Sequence, residues 1–446
     1  MPVLQNDAVV RQDLVERVED ARRRSDSLFG IVRPDSLYDR PIPERHRIVF
    51  YIGHLEAFDW NLLHGSLPGL KTFDPELDRL FAFGIDPVNG KLPSDVPSDW
   101  PRMESVRDYV AKIRGALDEK IEKNRLSSFG NARDGFSLET LLNVAIEHRL
   151  MHVETLAYML HQLPLNRKFK QEAAANFIPS PVTHRMVAIP SGEATLGLSR
   201  GGASFGWDNE YEAHVVFVPR FEVDQYKVTN RQYLDFMNAG GYESRGLWSD
   251  EDWKWKTDQE VSQPVFWSKE GNAWLYRGMF EEFPLPWDWP VYVSHAEAAA
   301  YARWTGKSLP TEEEWHRAAY GTADGDSPQR SYPWGNNPPG PDLGNFDFER
   351  WDPTPVNAFP RGKSALGAED LLGNGWEWTT TKFAPFGGFE PFPFYRGYSA
   401  DFFDGQHFVM KGGSARTASC MLRSSFRNWF QPHYQYVYAG FRCVAR

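Results

Sequence analysis

Two histidines four residues apart interrupt an otherwise apolar stripe: Leu138, Leu141, Ala145, His148, His152, Leu156, Met159 and Leu163. Three-to-four spacing puts the stripe on one helix face, turned towards a core. An i, i+4 pair brings two imidazoles to about 6 Å apart at Cβ, which suits chelation of one ion. His54, in YIGHLEAFDW, shares a stripe with Tyr51, Leu55, Phe58 and Leu62 and is expected to face inward as well. Three inward imidazoles without cysteine fit either zinc with an open fourth position or iron(II) with open sites for substrate and dioxygen. Core histidines satisfied by hydrogen bonds are the bland alternative, and unpaired they would cost several kcal/mol, which favours ligation. Glu147 and Glu154 point away from the histidine face. His161, nine residues beyond His152, falls on the opposite side of the helix and is expected to be solvated.

Four helical patterns can carry these residues: 8–27, 43–64 (opening on Pro43 and Glu44), 101–124 and 137–163, the last with its N-cap region at Ser137. They predict an up-and-down bundle, with a long connection at 65–100 of the kind that is functional or mobile. The remainder differs in kind. Of 17 tryptophans only Trp60 and Trp100 precede residue 186, and 27 of 36 glycines follow it. Short strand-like pieces (MVAIPSG, HVVFVPRFEVDQY, FVMKGGS) and two capped helices, TNRQYLDFMNAG and SHAEAAAYARWTG, predict an α+β domain with much irregular chain. The expected division is a helical bundle over 1–170, a linker over 171–185 containing Pro179 and Pro181, and the second domain over 186–446.

Composition narrows the partners. A formal charge of -11 and a pI near 5.6 argue against nucleic acid or an anionic membrane. No apolar run is long enough to span a bilayer, and no signal-peptide core is visible at residues 1–30. With only Cys420 and Cys443, neither a disulfide framework nor a multi-cysteine zinc site is available. A reducing compartment, the cytoplasm, is the expected setting.

HLEAFDW and EHRLMHVET make the first part resemble the DinB-like metal-binding bundle of the ergothioneine-biosynthetic sulfoxide synthases, the hercynine oxygenase family, to which the selenoneine synthases are close relatives. KVTNRQYLDFMNAGGY, PVYVSHAEAAAYARWTGKSLPTEEEWHRAAYG, YPWGN, GNGWEWT and SSFRNWF resemble the formylglycine-generating-enzyme-like domain, a variant C-type-lectin fold. The resemblance implies that His54, His148 and His152 hold iron(II). It implies a reaction in which dioxygen, hercynine and a thiol or selenol donor are joined at imidazole C2 with oxidation of the chalcogen. Both substrates would then enter between the domains. Tyr395 falls at the family's active-site tyrosine, Tyr398 at a second aromatic three residues on, and Asn428 and Trp429 at the hercynine contacts. Phe430 and Tyr434 stand where the best-known branch has an aspartate and a basic residue for γ-glutamylcysteine, Met151 stands in place of a glutamine, and Ala415 in place of a tryptophan. These departures point to cysteine or a selenosugar as donor. Arg416, Arg423 and Arg427 are available for a carboxylate, with structural ion pairing as their other use.

Three other readings compete. A formylglycine-generating enzyme needs reactive cysteines, and here Cys443 reads as core and Cys420 as a single, exposed thiol. A zinc-dependent hydrolase or thiol transferase would use the same histidines. A non-catalytic lectin-like binder would need no histidine triad.

Overall fold

A computed structural model describes residues 2–67, 69–84, 92–124, 131–133, 135–171, 181–202, 204–323 and 329–446. The chain divides into two compact units, Met1–Gln171 and Glu172–Arg446. Most of the expected linker, residues 172–180 with Pro179, lies outside the described residues.

In the first unit the long helices are α1 (Pro2–Phe29), α2 (Ile48–Leu63), α4 (Met103–Asn124) and α5 (Leu138–His161), with a short α3 (Pro75–Phe83) between α2 and α4. Two short strands, β1 (Asn131–Arg133) and β2 (Phe136–Ser137), lead into α5. Ser137 caps that helix, its Oγ accepting the Thr140 amide at 3.1 Å. α1 packs along α5, and α2 touches α3, α4 and α5.

Two expectations are corrected here. α2 starts at Ile48, because Pro43 and Glu44 form a turn. Asp95 explains it: Arg40 and Arg47 both pair with this buried carboxylate, and Arg47 also donates to Tyr38 O and Asp95 O, tying 38–47 into an irregular strap. The connection at 65–100, expected as loop, carries a helix: Asp74 accepts the Leu77 amide and Pro75 follows it to start α3.

One buried ionic network fixes α2 against α5. Arg149 donates to Glu56 at 2.9 Å, Asp59 at 2.6 Å and Leu55 O at 3.1 Å, while Arg114 of α4 reaches Glu56 and Asp26 at 2.7 Å. Removing one partner of such a network typically costs about 3–5 kcal/mol, so the relative register of the two helices is strongly held.

The second unit carries β3 (Met186–Ile189), β4 (Gly192–Leu196), β5 (His214–Val218), β6 (Phe221–Asp224), β7 (Trp267–Glu270), β8 (Ala273–Arg277), β9 (Glu282–Pro284), β10 (Trp376–Lys382), β11 (Phe408–Lys411), β12 (Asn428–Phe430), β13 (Ala439–Gly440) and β14 (Val444–Ala445). They form a β12-β11-β10-β13 sheet, a β14-β6-β3 sheet, a β7-β8-β9 sheet and a β4-β5 pair, all antiparallel except β10 with β13. Where two helices are expected, the described residues hold four: α6 (Asn230–Asn238), α7 (Asp250–Asp258), α8 (His295–Trp304) and α9 (Glu312–Tyr320). Thr229, Ser294 and Thr311 each make reciprocal caps with Gln232, Glu297 and Glu314.

Trp315 of α9 sits in a core with Ile189, Val223, Leu371 and Val444, and its indole donates to Glu377, which also holds Arg442. Beside this pair the ammonium of Lys227, fully buried, is caged by the Asp370 carbonyl and carboxylate, Gly373 O and Glu377. Among the described residues no helix is long and apolar enough to cross a membrane.

Candidate functional site

α2 and α5 bring His54, His148 and His152 together: one ring nitrogen from each lies within 4.8 Å of the others. Ring centroids are 5.5 Å apart for His54–His148, 4.9 Å for His54–His152 and 4.5 Å for His148–His152. Each ring has a support. His54 Nδ1 lies 2.7 Å from Phe81 O on α3, so Nδ1–H donates and Nε2 is left to face the cluster. His148 stacks on Phe58 at 3.4 Å, and the Tyr51 ring lies 5.9 Å from His152.

The donor set fits a metal ion. Burial pushes His54 down to about 4 and holds His148 and His152 well below the usual imidazole range, so all three are neutral, the form that ligates. His152 Nδ1 is buried and makes no hydrogen bond among the described residues. A lone pair kept out of water in this way is what an ion would take up.

α3 reaches His54 because residue 53 is glycine. A Cβ there would stand 2.3 Å from the Phe81 ring. Gly84, at φ +75°, ends α3 where a Cβ would meet His46 at 2.4 Å. Nothing in the sequence marks this support, since a backbone carbonyl has no residue signature. His161 is a further correction: it is 1% exposed, because nearly every residue in the last two turns of α5 is buried, and the chain returns over their end, where Lys168 Nζ donates to Leu160 O and His161 O.

In the second unit Tyr395 and Tyr398 lie on the irregular segment before the turn at Ala400–Phe402. Trp207 stacks on Tyr398 at 4.0 Å and meets Tyr395 edge-on at 6.4 Å, and the two tyrosine rings are 5.5 Å apart. Trp429 completes the cluster, 5.4 Å from Tyr398 and stacked on Phe383 at 4.1 Å. Strand alternation turns Asn428 and Phe430 to the other face of β12. There Phe430 stacks on Tyr434 at 5.0 Å, and Asn428 Oδ1 accepts the Trp429 amide. Burial, with the Asp208 carboxylate, pushes Tyr395 up to about 12, so its phenol keeps its proton at neutral pH.

The three arginines are occupied within the domain. Arg423 pairs with Glu210, Arg427 with Glu312 through two 3.0 Å contacts, and Arg416 donates to Phe348 O and lies over Trp351. Cys443 is buried and Cys420 is half-buried rather than exposed, and the two are not joined in a disulfide. Trp207 and its neighbours Asp208, Asn209 and Glu210 are all buried, which the sequence does not signal, because a polar DNE run reads as surface.

Helical bundle and mixed domain define a two-domain class of protein. Residues 17–156 match the DinB superfamily and residues 173–446 the sulfatase-modifying factor enzyme 1-like domain, which bears out the expected α+β architecture. The chain is 36% identical over 398 residues to the hercynine oxygenase of Mycobacterium tuberculosis, covering 88% of each. It is 33% identical over 449 residues to that of Mycolicibacterium thermoresistibile, covering 97% of this chain and 94% of the relative. Ergothioneine biosynthesis protein 1 of Neurospora crassa is 26% identical over 498 residues, 92% of this chain and 55% of that protein. The chain belongs to the hercynine oxygenase family.

Proposed function

We propose that this enzyme is a non-haem iron(II), dioxygen-dependent hercynine oxygenase. It joins a sulfur or selenium nucleophile to imidazole C2 of hercynine and oxidises the chalcogen, in ergothioneine or selenoneine biosynthesis in the cytoplasm. The observation that carries the reading is the convergence of three neutral imidazoles from two helices within 4.8 Å. His54, His148 and His152 would hold the ion. When bound, iron(II) supplies the one-electron chemistry by which dioxygen reacts with closed-shell partners.

The remaining roles belong to side chains. Phe81 O orients His54, and Phe58 and Tyr51 wall the cluster from water. Tyr395, protonated at neutral pH, is the proton donor of the coupling step. A trimethylammonium has no N–H to donate, so aromatic faces recognise it, and Tyr398 and Trp429 supply ~1–2 kcal/mol each. Asn428, turned to the opposite face of β12, stands outside this aromatic wall. Phe430 and Tyr434 offer the donor an uncharged stacked pair. That favours cysteine or a selenosugar over γ-glutamylcysteine.

Protein purified without oxygen, loaded with iron(II) and given hercynine with each donor should yield the C2 adduct by mass. Tyr395→Phe should slow coupling or divert turnover to oxidation of the donor alone. Stoichiometric zinc with no hercynine adduct from any donor would sink the proposal.

A further inference from the structure

Asp208 is a buried acid whose one side-chain hydrogen bond runs to the segment carrying both tyrosines. It is 0% exposed, and its Oδ2 makes no hydrogen bond among the described residues. Its other oxygen accepts from Ser399 Oγ at 2.5 Å, and Asn209 Nδ2 donates to the same Ser399 Oγ at 3.0 Å. Ser399 closes the segment that carries both tyrosines. That segment is folded on itself by the Tyr395 amide to Phe392 O and the Tyr398 amide to Tyr395 O. Trp207, next to Asp208 in sequence, stacks on Tyr398. Residues 207–209 therefore grip 395–399 at two points, one aromatic and one polar.

We propose that Asp208 is the positioning residue of Tyr395: through Ser399 it fixes the 395–399 turn, and with its negative charge it holds the phenol as a proton donor. This rests on the role given to Tyr395 above. Nearby charges do not cancel that of Asp208. Glu210 has the same sign and is paired with Arg423, while Arg427 is committed to Glu312 and to Asn209 O. The backbone amides of Phe392 and Asn209 also face the carboxyl. Burial pushes Asp208 up to about 6, so the group is charged above that pH, where it opposes ionisation of the neighbouring phenol.

The test places 3-fluorotyrosine at position 395 of the full chain and follows the ring fluorine by NMR. Asp208→Asn should lower the phenol midpoint by about one pH unit, tenfold in its proton affinity, with the near-UV circular dichroism of the folded chain retained. In the unsubstituted background the resonance should also step as pH passes about 6, where Asp208 ionises. An unchanged midpoint in the folded variant, or a resonance flat through pH 6, overturns the proposal. Neither measurement needs metal or turnover, so this failure is separable from the absence of a hercynine adduct, which would instead remove the reaction proposed above.

Discussion

The Nδ1 of His54 and the main-chain oxygen of Phe81 are 2.7 Å apart, across the gap between α2 and α3. The short helix thus orients a histidine of the candidate metal cluster from outside the bundle's own stripe, and Gly53 is what lets it come so close. Gly53→Ala should push Phe81 back, loosen His54 and weaken binding of iron(II) or cobalt(II) by about 10–100-fold, read by anaerobic equilibrium dialysis. His152→Ala should abolish stoichiometric binding. His161→Ala should keep the metal and lose about 2–4 kcal/mol of stability by urea titration, as large-to-small changes in buried positions do.

Trp429 offers one face to the tyrosine cluster while the other rests on Phe383. Trp429→Phe should preserve much of that stacking, whereas Trp429→Ala should raise the KM for hercynine about 5–30-fold, the equivalent of ~1–2 kcal/mol. Hercynine lacking one methyl group serves as the comparison substrate, and its KM should respond less.

The Phe430–Tyr434 stack predicts donor choice. Phe430→Asp combined with Tyr434→Arg should raise kcat/KM for γ-glutamylcysteine at least ~10-fold while lowering it for the natural donor, because polar groups reward a charged donor only when they can pair with it. Competition between the two donors, with products separated by mass, reads the ratio directly.

Asp95 makes a pH prediction for the strap before α2. Burial opposes its charge, but the Trp100 indole N–H and the Arg47 and Arg40 guanidinium groups outweigh that and hold the carboxyl below its ordinary value. A depressed folded-state pKa gives stability that is complete above the unfolded value of about 3.9 and is lost as pH falls through the folded value. Asp95→Asn should therefore destabilise by about 3–5 kcal/mol at pH 7 and flatten the acid limb of the unfolding curve. Urea midpoints across pH 2–7 would check both parts.

The histidine cluster was legible because helical periodicity is written in side chains, and a stripe of Leu138, Leu141, Ala145 and Leu156 makes two polar members conspicuous. The same reasoning failed at His161. Periodicity assumes one wet face, and near its end α5 has almost none. N-caps at Thr229 and Ser294 marked α6 and α8, whereas α9 was missed although Thr311 and Glu314 form the same kind of box. What no letter encodes is a carbonyl such as Phe81 O, or the burial of Asp208, whose partner Ser399 lies 191 residues later.

Lys227 has a practical corollary. Its carbonyl-and-carboxylate nest is filled by a cation that the polypeptide itself carries on a tether. A chelator cannot wash that charge away. Stripping divalent ions from solution would empty whatever the histidines of the amino-terminal unit hold, yet leave this keystone of the carboxy-terminal unit in its seat.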